Sequence, residues 1–162
     1  MNDTDRELLT AAVGRAKRSR DEGNHPFGAV LADRNGAILL EAGNTVGTEK
    51  DCTGHAETNL ARAASKAYDR DFLRSCTLYT SAEPCAMCSG AIYWSGIGRV
   101  VYALSERALR DITGDDPENP TLDLPCREVF ARGQRTVTVE GPEGVPGASA
   151  VHEGFWRPVD RL

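Results

Sequence analysis

Four side chains in two short stretches could do chemistry together: His55 and Glu57 in Gly54-His55-Ala56-Glu57, and Cys85 and Cys88 in Glu83-Pro84-Cys85-Ala86-Met87-Cys88. Two thiolates and one imidazole give zinc three protein ligands and leave the fourth tetrahedral position open to water. Water at such a position loses a proton near neutral pH, which makes it a nucleophile. Glu57, two residues from the imidazole, is then the candidate proton carrier rather than a ligand. A Cys-x-x-Cys alone also reads as a redox motif, and a His-x-Glu alone says little. A purely structural zinc needs a fourth protein ligand, for which Cys52 and Cys76 are candidates.

These residues need particular elements beneath them. His55 and Glu57 are two apart, so in mid-helix they would point roughly 200° apart around the axis. Both face one site only if the site lies at the N-terminus of a helix that begins at about His55. Ala56, Leu60, Ala63, Ala64 and Ala67 carry that helix and give it a small-residue stripe for close packing on a sheet. Pro84 stands where proline is favoured, at the first turn of a helix running from Cys85 to Trp94, with Cys85 and Cys88 on one face. Both ligand segments therefore sit at positive helix ends, which favour thiolate over thiol.

The rest of the chain supplies the scaffold. Thr4-x-x-Glu7 reads as a capping box for an amphipathic helix running to about Ser19. Residues 27–32 and 37–42 read as two strands joined by the turn Asp33-Arg34-Asn35-Gly36, an antiparallel hairpin that delivers Gly43-Asn44 to the sheet edge. Residues 45–53 read as polar loop. Cys76 to Thr80 and Val100 to Leu104 are strands on either side of the second ligand helix, so a right-handed crossover makes them parallel. Ser105 to Ile112 reads as a short helix, 113–120 as a polar loop, 125–132 as a helix stopped by Gly133, and 136–139 as a fifth strand. The expected fold is a three-layer α/β/α sandwich around a five-stranded mixed sheet, in a single domain over residues 1–162.

Composition narrows the function classes. The 162 residues are 40% apolar and 27% charged, ordinary values for a folded domain. The net charge of −5 argues against a broad phosphate-binding surface. Arg157 and Arg161 in the tail stand among acids and prolines without forming a basic cluster. The opening Met1-Asn2-Asp3-Thr4-Asp5 has neither a basic region nor an apolar core, and no run approaches the ~18 apolar residues of a membrane span. A cytoplasmic protein is expected, with no membrane partner. Cys52, Cys76 and Cys126 read as reduced, buried small hydrophobes.

Taken together, the ligand stretches match the H-x-E…P-C-x-x-C pattern of zinc deaminases. Pro26-Phe27-Gly28-Ala29-Val30, Gly43-Asn44, Thr77-Leu78-Tyr79-Thr80, Ser89-Gly90-Ala91-Ile92-Tyr93-Trp94 and Ile97-Gly98-Arg99-Val100-Val101 extend the match over roughly residues 5 to 104. The chain resembles the cytidine deaminase superfamily, within it the branch of bacterial guanine deaminases and tRNA adenosine deaminases. The resemblance implies one zinc per chain on His55, Cys85 and Cys88, with Glu57 shuttling protons during hydrolytic loss of ammonia from an aminated nucleobase.

It further implies that Asn44 hydrogen-bonds the base and that Phe27 stacks on it. The Ala56 N–H would donate to a ring carbonyl, and the Glu83 main-chain carbonyl would meet the reacting amine. Asp115 or Asp116 would read the base's N–H groups, and Phe155 or Trp156 would close the pocket. Tyr93 and Trp94 read as packing residues. His25 reads as a solvated loop histidine that could line the pocket mouth, and His152 matches no ligand position. Guanine or a related amino-purine is the first expected substrate, with cytosine, aminotriazines and nucleosides as alternatives. Editing of a tRNA anticodon ranks below a small molecule, and a binding protein without turnover would be expected to lack Glu57 or a ligand. The resemblance also implies a homodimer.

Overall fold

The computed structural model describes residues 1–156, so Arg157 and Arg161 lie outside the described residues. The sheet has five strands: β1 (Gly28–Ala32), β2 (Ile38–Gly43), β3 (Thr77–Ala82), β4 (Arg99–Leu104) and β5 (Thr138–Glu140), in the order β2-β1-β3-β4-β5. β1 is antiparallel to both β2 and β3, whereas β3, β4 and β5 run parallel. This is the expected mixed sheet, crossover included.

Alternation along the central strands divides the core in two. Ala29, Leu31, Leu78, Val100 and Tyr102 face α3 (Ala56–Ala67) and α5 (Ala86–Ser95). Val30, Ala32, Tyr79, Val101 and Ala103 face α1 (Asp3–Asp21), whose Leu8, Leu9, Ala12 and Val13 pack on them. Those two helical layers with the sheet between them are the α/β/α sandwich.

Several boundaries differ from the sequence-based expectation. The capping box of α1 is Asn2/Asp5 rather than Thr4/Glu7: Asn2 Oδ1 accepts from the Asp5 N–H at 2.8 Å and Asp5 Oδ2 from the Asn2 N–H at 2.9 Å. The segment read as polar loop contains the one-turn helix α2 (Val46–Glu49), and α4 (Arg70–Arg74), capped by Asp69, lies between α3 and β3. Cys85 is the N-cap of α5 rather than its first residue, and Phe27 stands just before β1. Beyond β4 come α6 (Glu106–Thr113), α7 (Cys126–Ala131) and a short 3-10 turn over Ala150–His152.

Asp5 fixes α1 to the sheet. Its carboxylate takes a bidentate pair from Arg99 at 2.8 and 3.0 Å and the Tyr79 hydroxyl at 2.7 Å. The Arg99 guanidinium holds the carboxyl well below its usual range despite its burial. A depressed folded-state pKa stabilises above the unfolded value near ~4 and is lost as pH falls through the folded one. Asp5→Asn is expected to cost about 2 kcal/mol at pH 7, since Tyr79 loses its charged partner and Arg99 keeps only Glu140. Urea unfolding of both proteins should show the gap narrowing below pH ~4.

Candidate metal centre and active-site cavity

The N-termini of α3 and α5 converge at one end of the sheet. His55 is the N-cap of α3 and Cys85 that of α5, so each side chain projects from a helix end rather than from its flank. One ligand atom each from His55, Cys85 and Cys88 lies within 4.8 Å of the others. The Cys85 Sγ to His55 Nδ1 distance is 3.6 Å, and tetrahedral zinc with ordinary bond lengths sets such ligand atoms about 3.6 Å apart. Donor types and spacing both fit zinc.

The two thiols are split by the hydrogen bond between them, which together with burial pushes Cys88 up. Hydrogen bonding with Cys88 and His55 holds the Cys85 thiol well below its usual range, against the opposing effect of burial. His55 is pushed up, chiefly by its hydrogen bond with Cys85. Thr58 Oγ1 donates to Cys88 Sγ at 3.2 Å, which orients that sulfur from the flank of α3.

Glu57, the second residue of α3, is buried beside these ligands. Thr80 Oγ1 on β3 donates to its Oε1 at 2.6 Å, and Cys88 Sγ lies 3.5 Å from its Oε2. Burial pushes its carboxyl up. A carboxyl in that condition suits a group that must both take and give a proton.

The ligands open onto a cavity of about 350 Å³, at the small end of the ~300–1,000 Å³ typical of small-molecule sites. His55, Cys85 and Glu57 form one side, and Phe27, Val46 and Met87 supply apolar wall. Glu118 to Leu122 lie across it. No lysine or arginine lines it among the described residues.

The structure brings some expected contacts to the cavity and not others. Phe27 and Glu83 line it. Ala56 opens α3 beside the ligands. Asn44 is almost fully buried and does not line the cavity; its Oδ1 accepts from the Val46 N–H at 3.0 Å, which turns the chain into α2. Asp115 and Asp116 border a separate surface depression with Arg110 and Pro117. The Asp116 carboxylate accepts from the Glu118 N–H at 2.9 Å and so shapes the turn. That turn sends Glu118, rather than either aspartate, to the cavity. Phe155 and Trp156 stand behind the wall, ring to ring with His25, and Trp156 also packs on Phe27.

Other expectations change. His25 is buried and lines the cavity, with Nε2 2.9 Å from Glu118 Oε2, instead of being solvated. Cys52 is exposed at the cavity, whereas Cys76 and Cys126 are buried as expected. Trp94 is 71% exposed and packs little, while the Tyr93 hydroxyl accepts from the Gln134 N–H at 2.9 Å. His152 is fully buried, accepts from Trp156 Nε1 through Nδ1, and is pushed down to about 4 by burial.

Sequence reasoning also passed over Glu106, which lines the cavity at the start of α6. Burial, then the negative charge of Cys85, Glu83 and Glu57, pushes its carboxyl up to about 7. Its position just beyond the carboxyl end of a parallel strand was the available signal, since ligands bind there in α/β sheets.

Residues 2–104 match the family model described as the cytidine and deoxycytidylate deaminase zinc-binding region. The chain belongs to this family. It is a zinc-dependent hydrolytic deaminase. A protein of Schizosaccharomyces pombe named "Probable cytosine deaminase" is 40% identical over 156 residues, 96% of this chain and 94% of the relative. The guanine deaminase of Bacillus subtilis is 45% identical over 91 residues, 56% of this deaminase and 58% of the relative. A solved guanine deaminase from Nitrosomonas europaea superposes with a TM-score of 0.71 at 26% identity, covering 91% of this deaminase and 81% of that chain. Among the described residues no helix is long and apolar enough to cross a membrane.

Proposed function

We propose that this deaminase hydrolyses a free aminated nucleobase, with cytosine ahead of guanine. The observation that carries the reading is the charge of the cavity: Glu106 and Glu118 line it beside the metal centre, with no lysine or arginine among the described lining residues. A nucleotide or an anticodon loop would bring phosphate toward those carboxylates without a cation to receive it. A neutral base rich in N–H groups meets acceptors instead. Cytosine moves ahead of the purine expected from the sequence because the likeness to the S. pombe protein runs through the C-terminal third that covers the cavity. The likeness to the B. subtilis guanine deaminase spans only 91 residues. Guanine is the second reading, supported by the N. europaea enzyme's similarity across 91% of this chain.

Zinc, when bound by His55, Cys85 and Cys88, supplies a Lewis acid that activates water at neutral pH. Glu57 takes the water proton, delivers it to the ring nitrogen beside the amine-bearing carbon, and assists departure of the amine as ammonia. Water supplies the oxygen that replaces the amine, so the products are the oxo base and ammonia. The Thr80 hydroxyl holds Glu57 Oε1 in place throughout. Phe27 provides a flat apolar surface for the ring, and Asn44, whose Oδ1 accepts from the Val46 N–H, sets the path of the chain into Val46 on the cavity wall. The Ala56 N–H, at the start of α3, offers a donor to a ring carbonyl.

The same reading includes a cytoplasmic homodimer. Its supports are five free cysteines and the far end of α5, where Trp94 is 71% exposed.

Ammonia release from cytosine, guanine, cytidine, dCMP and an anticodon stem-loop tests the substrate. Turnover of a free base is expected, with rates changing little between 50 and 200 mM salt. Release from dCMP or the stem-loop alone, falling steeply with salt as phosphate contacts do, would overturn the reading.

A further inference from the structure

We propose that Glu106 is a specificity residue of this deaminase, accepting an N–H of the bound base through a carboxylate that no described residue pairs. The proposal rests on the free-base reading and deepens it. Glu106 is the first residue of α6, where a carboxylate often serves the helix end, yet that work is done by others. The Ser105 side chain accepts from the Ala108 N–H at 3.2 Å, and Glu83 Oε2 accepts from the Glu106 N–H at 3.0 Å. Among the described residues nothing donates to the Glu106 carboxylate.

Its placement is costly. The side chain is half-buried in the cavity wall, and Glu57, Glu83 and Cys85 are the negative groups around it. A carboxylate held there without a donor among the described residues adds little to the fold, and structural groups of this kind are otherwise paired. The missing partner is an N–H donor entering the cavity. Cytosine and guanine both offer ring N–H and amine N–H groups, which a carboxylate oxygen accepts. The other acids on the wall are engaged: Glu118 with His25 at 2.9 Å, Glu57 with the Thr80 hydroxyl, and Glu83 with two main-chain N–H groups. Among the described residues Glu106 is therefore the wall carboxylate left for the substrate.

Losing a contact made equally in the ground and transition states raises KM and leaves kcat alone. Glu106→Gln keeps the shape and one acceptor oxygen but removes the charge, so KM for the preferred free base should rise about tenfold. Glu106→Ala should raise it about tenfold to a hundredfold, with kcat within about threefold for both. Zinc content should match wild type and the melting temperature should not fall, because the side chain supports no other described group. An unchanged KM in both variants, with wild type active on a free base, would overturn this proposal and leave the substrate reading intact. A fall in kcat at unchanged KM would overturn it too, by moving Glu106 into the chemical step. Wild type inert on every free base would overturn the substrate reading and this proposal with it.

Discussion

Glu57→Gln is expected to lower kcat by about 10²–10⁴-fold while the protein keeps its zinc, the usual range for loss of a positioned general acid–base. Glutamine fills the same volume and its Oε1 still accepts from Thr80 Oγ1, so the packing beneath the cavity survives. What disappears is the ability to take a proton from water and return it to the ring nitrogen. Burial already holds the carboxyl above its ordinary value, which makes it a better donor in the second half of the cycle. Metal analysis and ammonia release on the same preparation check the prediction. Full zinc with activity within a few fold of wild type would remove Glu57 from the mechanism.

Cys85→Ala should abolish turnover by a different route. With one of three protein ligands gone, zinc content is expected to fall below about a tenth of wild type at micromolar protein, and activity to fall to background. The fold should persist, since Cys85 caps α5 without a side-chain hydrogen bond to the helix backbone and its neighbours Pro84 and Ala86 stay in place. The clearest check is thermal unfolding with and without added zinc. Wild type should melt higher when loaded, because the ion binds only the folded site, whereas the variant should show no such shift. Retention of one zinc per chain in Cys85→Ala would mean that another thiol, with Cys52 the exposed candidate, completes the site.

The two variants separate the proton carrier from the metal. They also mark what could be read without a structure. His55, Cys85 and Cys88 were legible because zinc accepts few side-chain types, and the Pro before Cys85 fixes where its helix starts. The sheet was legible because β3 and β4 alternate cleanly between two buried faces.

The cap of α1 was not, since Asn2/Asp5 and Thr4/Glu7 both satisfy the local pattern. Tyr79 and Arg99, some 74 and 94 residues away, bind the Asp5 side chain that closes the actual cap. The cavity's far wall was hidden for a similar reason. Asp115 and Asp116 have the right chemistry, but Asp116 is spent on the turn that carries Glu118 inward. Local sequence sets which residues are acidic; the path of the chain after α6 sets which of them face the substrate. α2 likewise depends on the Asn44 side chain receiving the Val46 N–H, a contact that polar composition alone does not announce.

Glu83 gives this arrangement a further meaning. One of its oxygens receives the Glu106 N–H and the other the Cys126 N–H, both at 3.0 Å, so a single side chain next to the Pro-Cys turn moors the start of α6 and the start of α7. The segment between those two moorings carries much of the cavity wall, and both moorings use main-chain N–H groups that almost any amino acid supplies. Residues 107–125 are thus free to drift in sequence during evolution while staying tethered at both ends to the reaction centre. A lineage can trade one substrate for another by rewriting that span without disturbing the machinery that removes the amine.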